Sequence, residues 1–192
     1  MRMMNQQQLA QSILEIVRQA GVANAAQIQQ KDIIYDRVFR DICASNGCGN
    51  YGMCYMCPPD IGDIDELMKK AQEYDLGILY QTISPIEDSF DFEGMVLAGQ
   101  QHNQCAQKIH TALEELHLGN MLHLASGACR LCERCAKRDQ LPCRFPDRAL
   151  SSLEAYGIHV SQTAANAGLK YVNGPNTVTY FGMVLVKEDL NA

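Results

Sequence analysis

Eight cysteines in two short segments constrain this chain more than any other feature of its sequence. The chain has nine cysteines among 192 residues, and eight of them lie between positions 43 and 57 or between positions 129 and 143. The start of the chain has no apolar core of the kind that a secretory signal needs, which predicts a cytoplasmic location. Because thiols stay reduced in the cytosol, a disulfide framework is not expected. Metal binding is therefore the leading explanation for the clustering.

The second segment has the spacing of an iron–sulfur site. The pattern C-x2-C-x2-C-x7-C places three thiolates in one tight turn, where each can reach a different iron of a cubane. A more distant cysteine closes the fourth corner, as in bacterial ferredoxins, although seven residues precede it here instead of three. The spacing predicts a [4Fe–4S] cluster bound by Cys129, Cys132, Cys135 and Cys143.

The residues around this second segment are basic in a chain whose formal charge is −6. Between Cys129 and Arg148 there are six basic and three acidic residues, which gives a local charge of +3. Three interpretations stay open. The charges form a solvated face, they offset the negative charge of a cluster, or they form a docking patch for an anionic partner or substrate.

The first segment is less diagnostic. Its pattern is C-x4-C-x5-C-x2-C followed by Pro58-Pro59, and its members are Cys43, Cys48, Cys54 and Cys57. These could be four ligands of a second cluster, or three ligands and one bystander. One or two [4Fe–4S] clusters are therefore expected in the whole chain.

Zinc is the alternative metal. Cys54-x2-Cys57 together with Cys132-x2-Cys135 would make an acceptable four-cysteine zinc site. That site leaves the other four clustered cysteines in need of a second zinc ion, so iron–sulfur is favoured. Cys105 stands apart within a predicted helix and is expected to be a small core residue. Histidines on the same helix are expected at solvated or core-edge positions, not as metal ligands.

The order of predicted elements favours a single-domain αβ sandwich of the α/β class, with α+β as the alternative. Helices are predicted over 5–20, 36–44, 63–74, 92–118, 152–156 and 161–167, and strands over 76–83, 121–125 and 177–186. The two cysteine loops then lie at the ends of these elements. The whole chain, 1–192, is predicted to be one cysteine-rich metal-binding domain, in which 1–30 forms an N-terminal helix and a polar connection.

Charge and hydropathy exclude two classes of partner. The net negative charge argues against a nucleic-acid binder, which normally has an excess of Lys and Arg. No run of 18 or more apolar residues occurs, so no membrane span is expected. The partners that stay open are a redox partner protein and a small-molecule substrate.

The two cysteine segments resemble a bacterial and archaeal family of unknown function whose members are described as predicted metal-binding proteins. The stretches that carry the resemblance are CASNGCGNYGMCYMCPP at 43–59, CRLCERCAKRDQLPCRFPDRALSSLEAYGIHV at 129–160, and TYFGMVLV near the end. The resemblance implies metal binding by the cysteines and no particular reaction. One departure matters, because Tyr55 stands where the family usually has Trp, and Cys54 occupies a variable position.

The departure at Cys54 separates the functional hypotheses. If Cys54 is not a ligand, the first site has three thiolates, and a cubane held there has one iron open to water or substrate. The leading hypothesis is a cytoplasmic iron–sulfur protein in electron transfer or redox chemistry of an anaerobic type. The alternatives are an iron–sulfur enzyme with an open iron, and a zinc-binding structural or interaction module.

Overall fold

The computed structural model describes residues 6–116 and 120–187. Its elements are helices α1 (Gln6–Gln19), α2 (Val38–Ala44), α3 (Ile64–Gln72), α4 (Phe92–Glu115) and α5 (Val160–Asn166), and strands β1 (Asn24–Gln29), β2 (Leu76–Pro85), β3 (Met121–Ala125), β4 (Ser151–Ser152) and β5 (Thr177–Val186). The strands form one sheet in the order β1-β2-β5-β3-β4. This arrangement confirms the predicted single-domain α/β class.

Strands β2 and β5 form the centre of the sheet. They pair antiparallel along their whole length, from Leu76 opposite Val186 to Pro85 opposite Thr177. Strands β3 and β4 are the parallel pair of this mixed sheet. Both faces of the central strands are covered, which explains why their sequences are continuous apolar runs instead of alternating ones.

Successive side chains of β2 supply two cores on opposite faces of the sheet. Leu76, Ile78 and Tyr80 pack with α1 and α4. Leu79 packs on the other face with α3 and α5. Helix α4 is thus fixed against one face of the sheet, and its outer face is left for other contacts.

Two predictions about the elements were wrong. Residues 24–29 lie in the predicted polar connection but form edge strand β1, in which only Ile28 is buried. An edge strand with one buried residue has no apolar alternation to mark it. The helix predicted over 152–156 is the end of β4 followed by a short 3-10 helix, Glu154–Tyr156.

The fold brings the two cysteine loops to one place. The first loop runs from α2 to α3, and the second connects β3 to β4. The Ser151 hydroxyl at the end of the second loop donates to the Met56 carbonyl in the first at 2.9 Å. Within residues 6–116 and 120–187, no helix has the length and apolar character needed to cross a membrane.

Candidate metal centre

The first cysteine loop leaves α2 and turns back on itself before α3. Cys43 lies in the last turn of α2 and is half-buried, whereas Cys48 is exposed. Gly52 has a φ of 67°, a left-handed conformation that glycine adopts without strain. The Cys57 N–H donates to the Cys54 carbonyl at 3.0 Å, so these two thiols extend from one tight turn.

The second cysteine loop wraps around a cavity. A 3-10 helix, Ala136–Asp139, begins directly after Cys135. The Arg138 N–H donates to the Cys135 carbonyl at 3.1 Å and holds this turn closed. The four cysteines that the spacing grouped are half-buried, and all of them line this cavity: Cys129, Cys132, Cys135 and Cys143. The structure thus brings them together, while their role as ligands stays a prediction.

Cys54 lies at the boundary between the two groups. It is 2% exposed and is the only buried member of the eight clustered cysteines. Its side chain lines the cavity of the second group. The neighbouring thiols of Cys57 in the first group and Cys135 in the second lower the pKa of the Cys54 thiol, against the effect of burial. Chain order places Cys54 in the first group, but its side chain is shared between both.

The other three cysteines of the first group lie close enough to influence one another electrostatically. Burial raises the pKa of Cys43, and the neighbouring Cys48 raises it further, while Arg40 opposes both effects. The pKa of Cys57 is raised, first by its interaction with the neighbouring Cys54 thiol, then by burial and by the charges of Cys54, Cys48 and Cys43. A bound metal would favour deprotonation of these thiols and offset their mutual repulsion.

Polar contacts hold the two loops against each other. The Tyr55 hydroxyl in the first loop donates to the Leu141 carbonyl in the second at 2.8 Å. Lys137 forms an ion pair with Asp60, and its ammonium lies 5.4 Å from the centre of the Tyr55 ring. The cysteine cavity therefore belongs to one unit built from both loops.

The cavity presents soft donors. Five thiols and Met56 line the cavity, and no carboxylate or imidazole lines it. The other lining residues are Tyr55, Leu131, Ala136, Arg144, Phe145 and Ala149. Thiolates favour zinc, copper(I) and iron–sulfur clusters over the hard cations magnesium and calcium. The donor chemistry therefore fits both metals that the sequence analysis considered.

The cysteines share this cavity without forming a site for a single ion. Across residues 6–116 and 120–187, no three His, Cys, Asp or Glu side chains are grouped so that they could hold one metal ion. A tetrahedral zinc site, with Zn–S of about 2.3 Å, would hold its sulfurs only about 3.8 Å apart. The zinc site that the sequence suggested, which combines two cysteines from each loop, is not preformed.

Two charged residues beside Cys43 were missed by the sequence analysis. Arg40 lies one turn before Cys43 on α2, and its Nε and Nη2 are buried without a hydrogen-bond partner in the described chain. Glu154 is mostly buried, and burial raises its pKa. No motif marks these residues, because their proximity depends on the packing of α2 against the 3-10 helix that contains Glu154.

The ninth cysteine lies in the core, which confirms the prediction for it. Cys105 is 7% exposed on α4, and its thiol donates to the Ala20 carbonyl at 3.4 Å. His102 is fully buried, so the expectation of a solvated or core-edge position was wrong for it, whereas His110 is 8% exposed and lies at the core edge, with its Nε2 3.7 Å from the Glu114 carboxylate. His117 lies outside the described residues.

Comparison with known proteins identifies the family. The family model "Predicted metal-binding protein (DUF2284)" matches residues 26–186, a range that contains all eight clustered cysteines. Because the match covers most of the chain, the protein belongs to this family, as the resemblance of its cysteine segments predicted. No curated protein and no solved structure matches the chain.

Proposed function

We propose that this member of a predicted metal-binding family is an iron–sulfur protein that carries up to two [4Fe–4S] clusters and works in electron transfer. The observation that supports this best is a cavity lined by five cysteines and by no carboxylate or imidazole. Thiolates are the usual ligands of iron–sulfur clusters, and the spacing of the second segment suits a cubane. When bound, such a cluster would supply a reversible redox couple.

In this proposal each loop holds one cluster. The ligands of the second loop are Cys129, Cys132, Cys135 and Cys143. Those of the first are Cys43, Cys48 and Cys57, with Cys54 as the fourth ligand if this cluster is closed. The two sites adjoin, because the Cys54 thiol influences the pKa of Cys57 in the first group and lines the cavity of the second. Adjoining sites are what transfer of electrons between two clusters requires.

A second candidate function is an iron–sulfur enzyme, and the position of Cys54 favours it. Because the side chain of Cys54 lines the cavity of the second group, the first group keeps three other thiols. Cys48 is exposed, so this first site is open to solvent. A cluster held by three cysteines would leave one coordination position for a substrate atom, as in open catalytic metal sites.

The absorption spectrum and zinc content of anaerobically purified protein distinguish these functions from a zinc-binding interaction module. We expect a brown protein with broad absorption at about 400 nm and without stoichiometric zinc. A colourless protein with about one or two zinc ions per chain would overturn both iron–sulfur functions and favour the module.

Cysteine-to-alanine variants then assign the ligands. Cys132→Ala and Cys48→Ala should each remove roughly half of the iron, since each belongs to a different cluster. Cys105→Ala is the matched control and should retain all of it. Unchanged iron in Cys54→Ala would support the open site and the enzyme; lower iron would make Cys54 a ligand and remove that candidate. Loss of all iron from either single variant would contradict two separate clusters.

A further inference from the structure

A polar groove lies beside the cysteine cavity, against the outer face of α4. Its volume is about 560 Å³, which is within the range of about 300–1,000 Å³ for small-molecule sites. The groove and the cysteine cavity have Cys129, Leu131 and Cys132 in common. A molecule bound in the groove would therefore lie directly against two candidate metal ligands.

One wall of the groove is a row of uncharged amides. Gln100, Asn103, Gln104 and Gln107 follow one another at the spacing of a single helix face and all line the groove. The outer face of a helix usually carries charged residues. Gln100 and Gln104 each offer a donor and an acceptor without adding charge, whereas the Asn103 amide donates to the Gly99 carbonyl at 2.9 Å. Such a wall suits a polar ligand with several hydrogen-bonding groups.

The charge of the groove comes from the second cysteine loop. Arg130 and Arg148 line it together with one acid, Glu133, which leaves one net positive charge. The Arg148 guanidinium donates to the Gln107 side-chain oxygen at 3.3 Å, and the Gln107 amide donates to the Arg148 carbonyl at 3.0 Å. These contacts hold Arg148 at the amide wall. Guanidinium groups match carboxylates through paired hydrogen bonds.

We propose that this groove binds a small molecule that has one carboxylate and nearby hydrogen-bonding groups. The single net positive charge matches a monoanion better than a doubly charged phosphate. Arg130 and Arg148 would bind the carboxylate, the amides would bind the polar groups, and one end of the molecule would contact Cys129 and Cys132. Contact between this end of the molecule and a metal cluster rests on the proposed function. Binding of the molecule itself depends on the groove alone.

Ligand-observed NMR titration of the anaerobically purified protein tests the proposal. The probes are N-acetylglycine, which has one carboxylate and one amide, and inorganic phosphate at matched ionic strength. N-acetylglycine should bind saturably, and Arg130→Gln and Arg148→Gln should each weaken it about tenfold. Gln104→Leu should weaken it about fivefold. Both arginines are exposed, so these variants should fold.

Arg37→Gln is the matched control, because it removes the same charge from an exposed ion pair with Asp65 outside the groove. This variant should bind N-acetylglycine as the wild type does. The proposal would be overturned if N-acetylglycine does not bind saturably, or if the Arg130 and Arg148 variants bind it as tightly as the wild type. Binding of phosphate in place of N-acetylglycine would overturn it too. Iron and sulfide measured on the same sample separate the two claims. Binding to a protein without iron supports the groove and refutes only the proposed function.

Discussion

Mild acid should destabilise this protein through two buried histidines. His102 is fully buried and His123 is 5% exposed, and their rings lie 5.7 and 5.8 Å from the ring of Tyr80. Burial lowers the pKa of His102 to about 4. Burial, together with His110 and His102, lowers the pKa of His123 to about 3. The Nδ1 atom of His123 has no hydrogen-bond partner in the described chain, so a proton added there would be unsolvated.

The size of the effect follows from the two pKa values. An unfolded histidine titrates at about 6.5, so between that pH and the folded pKa the unfolded chain binds more protons than the native one. The two buried histidines therefore cost no stability above about pH 6.5. Below that value the free energy of unfolding decreases as the pH falls. At about pH 5 each histidine should have reduced the free energy of unfolding by about 2 kcal/mol, and the two together by about 4. That is a large part of the usual total of about 5–15 kcal/mol.

Urea unfolding at about pH 7.5, 6 and 5 measures this loss. His102→Asn and His123→Asn should each remove about half of the pH dependence. Thr82→Val is the control, because it removes the 2.9 Å hydrogen bond to His102 but no titrating group; it should lower stability and keep the pH dependence. Acid also releases thiolate-bound metal, so samples are compared at equal metal content. Equal pH dependence in the wild type and the double histidine variant would refute the reasoning.

Three further predictions concern the loops and the sheet. Tyr55→Phe removes the hydrogen bond to the Leu141 carbonyl. It should lower the free energy of unfolding in urea by about 0.5–1.5 kcal/mol and speed metal release to a chelator. Tyr171→Phe, the control, should change neither. In Gly182→Ala the new Cβ would lie 2.2 Å from the Tyr80 ring, so calorimetry should show a loss of about 3 kcal/mol or more. Gly47→Ala, which meets no atom within 4 Å, is its control, and equal melting temperatures would contradict the close packing. Arg40→Gln removes a half-buried cation beside Cys43, and this variant should retain less iron during gel filtration. Unchanged iron retention would argue against an electrostatic role of Arg40.

Sequence patterns predicted the helices and strands in which burial is similar along the whole element. Strands β3 and β5 have the predicted bounds, because both are apolar runs covered on both faces. The N-terminus of α3 was also predicted, since the Asp63 side chain accepts from two backbone N–H groups of the first turn. Edge strand β1 escaped prediction because its neighbour on one side is solvent and its sequence is polar.

The same distinction applies to the candidate site. Regular spacing identified the four cysteines of the second loop, because ligands to one centre are close in sequence there. The position of Cys54 depends on how the two loops pack, and no local pattern encodes that contact. The amide wall at 100, 103, 104 and 107 has a helical spacing that was visible in the sequence, but its meaning depends on the arginines of another loop.

The central claim is tested most directly by one analysis of anaerobically purified protein. Its iron and acid-labile sulfide are quantified, and an EPR spectrum is recorded after reduction. Two [4Fe–4S] clusters predict equal amounts of iron and sulfide, up to roughly eight of each per chain, and an EPR signal from the reduced protein. Zinc without sulfide, and no EPR signal on reduction, would contradict the claim that the two cysteine loops bind iron–sulfur clusters.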